Sequence, residues 1–183
     1  MTMYRIDPKR LAILICFGVF VSTIRLSGQP AIPQPNWDGW KFLIGEWVGE
    51  GGGDPGQGSG GFTYGFDLEK RILVRKNFAD YPATKDRPAF RHDDLMIVWQ
   101  DPGKAIRAEY FDNEGHVVHY SVEFSKDSNS VVFVSDPSPS APRFRLTNTK
   151  TGPKTIAITF EIALPGKPEE FSPYITASAR KKQ

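Results

Sequence analysis

A chain of 183 residues with 39% apolar and 13% aromatic side chains suits one packed domain and leaves little for a second. A net charge of +2 excludes the strongly basic footprint of a nucleic-acid binder. A single cysteine, Cys16, excludes a disulfide framework.

Residues 1–28 read as a secretory signal. Arg5, Lys9 and Arg10 precede the apolar run "LAILICFGVFVSTI", and "RLSG" supplies small residues for cleavage after Gly28. The run is shorter than the ~20 residues that span a bilayer, and an uncleaved anchor is the alternative. The expected location is therefore periplasmic or extracellular, with no membrane insertion of the mature domain. Cleavage removes Cys16 and a basic excess, leaving a thiol-free, nearly neutral chain that suits neither polyanions nor thiolate-bound metal.

Residues 29–37 form a Pro-rich linker, and 38–183 form the folded domain. Asn36 or Asp38 caps a short helical turn through "GWKFLIG", with Trp37, Trp40, Phe42 and Leu43 available as a plug. Beyond Gly45 no segment holds a 3.6-residue apolar period. Ten short runs rich in β-branched and aromatic residues follow: "EWVGEG", "GFTYGFDL", "ILVRKNFADY", "DLMIVWQ", "AIRAEYF", "HVVHYSVEF", "SVVFVS", "RFRLTN", "TIAITFEIA" and "YITASAR". Short Gly- and Pro-rich links between them predict an all-β, single antiparallel up-and-down barrel of about ten strands, closed so that no edge is exposed.

"GGGDPG" and "GQGSGG" match the spacing G-x-G-x-x-G, yet they lead into an alternating strand rather than a helix. Phosphate binding needs the helix N-terminus, so the stretch reads as a loop at a barrel mouth. In the hairpin around "DNEG", a left-handed Gly115 pairs Asp112 with His116. This puts Ile106, Ala108, Tyr110, Val118, Tyr120 and Val122 inside, and Arg107, Glu109, His119, Ser121 and Glu123 outside. The earlier hairpin is open to two registers. A two-residue turn at Glu69–Lys70 turns Arg75 and Asn77 inward with Phe62, Tyr64 and Phe66; a loop one residue longer sends Arg75 to water.

Gly45, Trp47, Gly49 and Gly51 form the pattern Gly-x-Trp-x-Gly-x-Gly after a short capping turn. That pattern resembles the first strand of nitrobindin-like and lipocalin-like (calycin) ten-stranded barrels, and the order of elements is similar over roughly residues 38–180. "FDNEGHVVHYSVEF" and "SPYITASAR" are also similar to bacterial exported barrels of this group. The resemblance to nitrobindins implies haem held by a histidine near the C-terminal strand. This sequence has no histidine after His119, so no cofactor is expected. The lipocalin-like resemblance implies a small apolar ligand inside the barrel.

The expected function is therefore non-catalytic binding of a small, largely apolar molecule lined by Trp47, Phe62, Tyr64, Phe66, Trp99, Tyr110 and Tyr120, with Arg75 as a polar anchor. A filled barrel acting through loops 51–61, 82–92 or 136–142 is one alternative. An acid–base site at Arg107, Glu109 and His119 is another, and it requires the opposite face to be inward. His116 and His119 project to opposite sides of a strand and cannot share a metal, and no third ligand is apparent, so no metal site is expected.

Overall fold

The computed structural model describes residues 33–50, 59–100 and 105–183; the leader lies outside them. Residues from Gln34 onward belong to one compact unit. A short 3-10 turn, Asp38–Trp40, precedes ten strands: β1 Gly45–Glu50, β2 Ser59–Asp67, β3 Ile72–Tyr81, β4 Phe90–Gln100, β5 Ile106–Asp112, β6 Val117–Phe124, β7 Ser130–Ser135, β8 Arg143–Gly152, β9 Thr155–Ala163 and β10 Ser172–Lys181. Each pairs antiparallel with its chain neighbours, and β1 pairs with β10, closing the barrel. Closure removes the free edges that an open sheet of this apolar content would present to other chains.

The strands form where apolar and polar residues alternate, because period two sends one set to each face. In β4, Met96 and Val98 are buried inward, while Leu95, Ile97 and Trp99 alternate onto the outer face. Strand β4 begins at Phe90, so His92 and Asp94 also belong to its inner face. The segment 82–92, read from the sequence as loop, is thus partly strand.

One end of the barrel is plugged. Trp40 is fully buried among the rings of Trp37, Tyr64, Phe124 and Phe133. Trp37, assigned by sequence to the linker, packs on Phe66 and donates its indole N–H to the Lys70 carbonyl at 2.8 Å. Leu68, Glu69 and Lys70 all take positive φ in that turn, a conformation that non-glycine residues adopt at a cost. Trp47 donates to the Leu43 carbonyl at 2.8 Å and stacks on Phe62, which fixes the chain's entry into β1. Two glycines of β2 are required by close approach: a Cβ on Gly60 would lie 2.4 Å from the Phe78 carbonyl oxygen, and one on Gly61 would lie 2.5 Å from that of Trp47.

Both hairpin registers are settled. Tyr64 pairs with Arg75 and Phe66 with Leu73, the register that turns Arg75 inward. Tyr110 pairs with Val118 and Ala108 with Tyr120, and Gly115 has φ 92°.

Candidate functional site

The inner face changes character along the barrel axis. Near the plug, Leu73, Val98, Ala108, Val131, Phe133 and Ile156 are completely buried. Toward the other end, Asn77, His92, Tyr110, Phe144, Ile158, Phe160 and Ile162 are only half-buried. The barrel is filled at one end and forms a cup at the other.

The cup has two chemically different walls. In a closed ring of ten strands, β3, β4 and β5 lie across from β8, β9 and β10. The first wall is polar: Arg75 and Asn77 from β3, His92 and Asp94 from β4, Tyr110 and Asp112 from β5. The second wall is apolar: Phe144 and Leu146 from β8, and Ile158, Phe160 and Ile162 from β9, with Phe144 stacked on Phe160 at 5.7 Å. A separate open hollow of about 370 Å³ lies on the outer face of β3–β5, where Lys76, Asp93, Leu95 and Phe111 project.

Asp94 is the hub of the polar wall. Arg75 donates to Oδ1 at 2.5 Å and Asn77 to Oδ2 at 2.7 Å, while His92 Nε2 lies 3.3 Å from Oδ2. The Arg75 and Asp94 side chains are only 12% and 4% exposed, so water screens this ion pair little. Burial alone would push Asp94 up; Arg75, His92 and Asn77 outweigh it and hold the carboxyl below its ordinary value. Burial opposes the charge on Arg75, and the Asp94 carboxylate more than restores it, raising the guanidinium. The hydrogen bond to Asp94 raises His92 to about 9 against the opposing effect of burial, with Glu114 adding to the rise.

Three tyrosines surround this hub. Burial pushes Tyr64 up from 10.0 to about 12 and also raises Tyr110 and Tyr120. The Tyr110 hydroxyl donates to Asp112 at 3.2 Å and accepts from His92 Nε2 at 3.1 Å. The Tyr64 hydroxyl is buried with no hydrogen-bond partner among the described residues. A buried hydroxyl left unpaired is unfavourable.

The pH dependence of stability follows from the raised tyrosine and the raised histidine. Tyr64 titrates at 10.0 when unfolded and about 12 when folded, so the folded state binds its proton more tightly. Its contribution is intact below pH 10 and is lost as pH rises toward 12. The melting temperature should already decline gently between pH 6.5 and 9, as His92 loses the proton that Asp94 holds on it, and fall steeply above 10. Tyr64→Phe should make that fall shallower, as followed by circular dichroism melts across the pH series.

Of the residues expected to line the interior, Trp47, Phe62, Tyr64, Arg75, Tyr110 and Tyr120 are on the inner face. Phe66 shares that face but sits at the plugged end against Trp37, away from the cup. Trp99 is a correction: it alternates with the inward Val98, pairs with Ile72 and Arg107, and faces outward. Arg75 is inward but is neutralised by Asp94, so it offers no bare charge to an anion. The alternative acid–base set lies outside: Glu109 pairs with His119, which is 57% exposed, and Arg107 binds Ser121 and Asp136.

Sequence reasoning missed His92, Asp94 and Asp112 as a group. A signal was present: continuing the alternation of Val98 and Met96 backward reaches Asp94 and His92, and extending β4 to match the ten residues of β3 would have brought them in.

No protein-family model matches the chain, and no curated protein matches it. The closed antiparallel ten-strand barrel is consistent with a calycin or lipocalin-like fold.

Proposed function

We propose that the chain binds a small amphipathic molecule in the open half of its barrel, without converting it. The observation that carries this reading is the division of the cup into a hydrogen-bonding wall on β3–β5 and an apolar wall on β8–β10. A ligand lays its apolar body on Phe144, Ile158 and Phe160 and turns its polar end toward Tyr64, Asn77 and Tyr110. Trp47, Phe62 and Tyr120 form the deeper surroundings of that end.

The polar end of the ligand is neutral. Arg75 and His92 are matched by Asp94, Asp112 and Glu114, so a carboxylate or phosphate would have to displace an internal anion from Arg75. A hydroxyl, amide or carbonyl needs no such exchange. Nitrobindin-like haem binding is disfavoured: the sequence lacks the histidine near its last strand.

The test is displacement of the fluorescent probe N-phenyl-1-naphthylamine. Dodecanol should displace it at lower concentration than dodecanoate. Phe160→Ser should weaken probe binding about tenfold, the scale of one buried ring, whereas Val48→Ser on the exposed outer face should leave it unchanged. Absence of probe binding, or equal weakening by both substitutions, would overturn the reading.

A further inference from the structure

We propose a divalent transition-metal site on the rim of the barrel, formed by His92, Asp112 and Glu114. His92 and Asp112 also stand in the polar wall of the cup, but metal binding needs nothing from the apolar wall, so the site does not rest on the amphipathic-ligand reading.

The donor set comes from three places in the chain. His92 is on β4, Asp112 ends β5, and Glu114 lies in the turn between β5 and β6. One ligating atom from each lies within 4.8 Å of the other two. Tetrahedral zinc with bonds of about 2 Å needs donors roughly 3.4 Å apart. The set has to contract on binding, and Glu114, exposed and resting on His92 Nδ1 at 2.8 Å, is the side chain with room to move; His92 and Asp112 are the other two donors.

Those two are held by the fold. Asp112 Oδ1 accepts the backbone N–H groups of Glu114 at 3.0 Å and His116 at 2.9 Å, which leaves Oδ2 directed toward Tyr110 and His116. The turn itself is fastened to β4 by Asn113. Its side chain accepts from the Asp93 N–H at 3.1 Å and donates to the Arg91 carbonyl at 2.9 Å, and its own N–H reaches the Asp93 carbonyl at 3.0 Å. These bonds bring the turn against the strand that carries His92, and His92 Nδ1 meets Glu114 at 2.8 Å.

The chemistry selects the ion. One imidazole and two carboxylates are the nitrogen and oxygen donors that zinc, cobalt and nickel accept, and the two carboxylates balance a divalent charge. The His116 ring on Asp112 at 2.8 Å and the Tyr110 hydroxyl near both His92 and Asp112 are outer partners that orient the ligands. The sequence concealed the site because His92 and Glu114 are 22 positions apart and meet only through the β4–β5 register, in which Asp94 pairs with Asp112.

The test uses untagged protein freed of metal by chelator dialysis. Calorimetric titration with Zn²⁺ should give one site, and Co²⁺ should give a visible d–d absorption band. His92→Gln and Glu114→Gln should each weaken Zn²⁺ binding by about tenfold or more. His119→Gln, which disrupts an exposed His–Glu pair lacking a third donor, should change nothing. Glu114 is exposed, so its variant keeps the fold, and circular dichroism melts verify this for His92→Gln. No heat and no Co²⁺ band up to millimolar metal would overturn the proposal. So would weakening by His119→Gln equal to that by Glu114→Gln.

Discussion

Asp94→Ala should destabilise the barrel by about 3–5 kcal/mol, the largest effect expected of any polar substitution among the described residues. The substitution leaves Arg75 buried and charged with its counter-ion gone, and it leaves Asn77 without its acceptor. Breaking a buried pair is far more damaging than removing it whole. The double variant Arg75→Met with Asp94→Leu should therefore recover most of the loss, since two apolar side chains fill the space with no stranded charge. Urea unfolding followed by circular dichroism measures both. A loss below about 1 kcal/mol in the single variant would mean that water reaches Arg75 in the folded barrel, and that the hub is not the enclosed pair described above.

The plug gives the second large effect. Trp40→Ala should cost about 3–5 kcal/mol, because it empties the space among Trp37, Tyr64, Phe124 and Phe133 at the centre of the plug. Trp40→Phe should cost much less than Trp40→Ala. The indole N–H is buried without a partner among the described residues, so the smaller ring loses packing but also removes an unpaired donor. Equal losses in the two variants would show instead that the N–H is satisfied in solution. Urea unfolding of both proteins, with tryptophan emission as a second probe, separates these outcomes.

The sequence was most legible where packing follows local alternation. "ILVRKNFADY", "SVVFVS" and "TIAITFEIA" coincide with β3, β7 and β9. The turn at "DNEG" fixed a register, because Gly115 supplies the left-handed residue that the hairpin needs. Legibility failed where polar residues face inward. His92 reads as the end of loop 82–92 and Asp94 only as the first residue of a strand run, yet both are inner-face strand residues, paired with Ala79 and Asn77. Binary pattern assigns charge to solvent, and a charged group can face inward only when partners from other strands neutralise it. Those partners, Arg75 and Glu114, are set by pairings between β3, β4 and the β5–β6 turn, and local sequence does not encode them. Trp99 failed for the opposite reason. Its size suggested the interior, but its position next to Val98 decides its face.

The same distinction separates the two walls of the cup. The apolar wall follows from alternation in "TIAITFEIA", where Ile156, Ile158, Phe160 and Ile162 share a face. That this wall stands across the barrel from the Asp94 hub follows only from closure of the ring by β1 and β10. The amphipathic character of the cup is thus a property of topology rather than of any one segment.

The most direct measurement is an amide and methyl NMR titration of the protein with dodecanol. Binding in the cup predicts shifts at Asn77, Asp94, Tyr110, Phe144, Ile158 and Phe160, with Val48, Trp99 and the plug residues Trp37 and Trp40 unmoved. Shifts confined to the outer face or to the plugged end, or none at saturating dodecanol, would contradict the account.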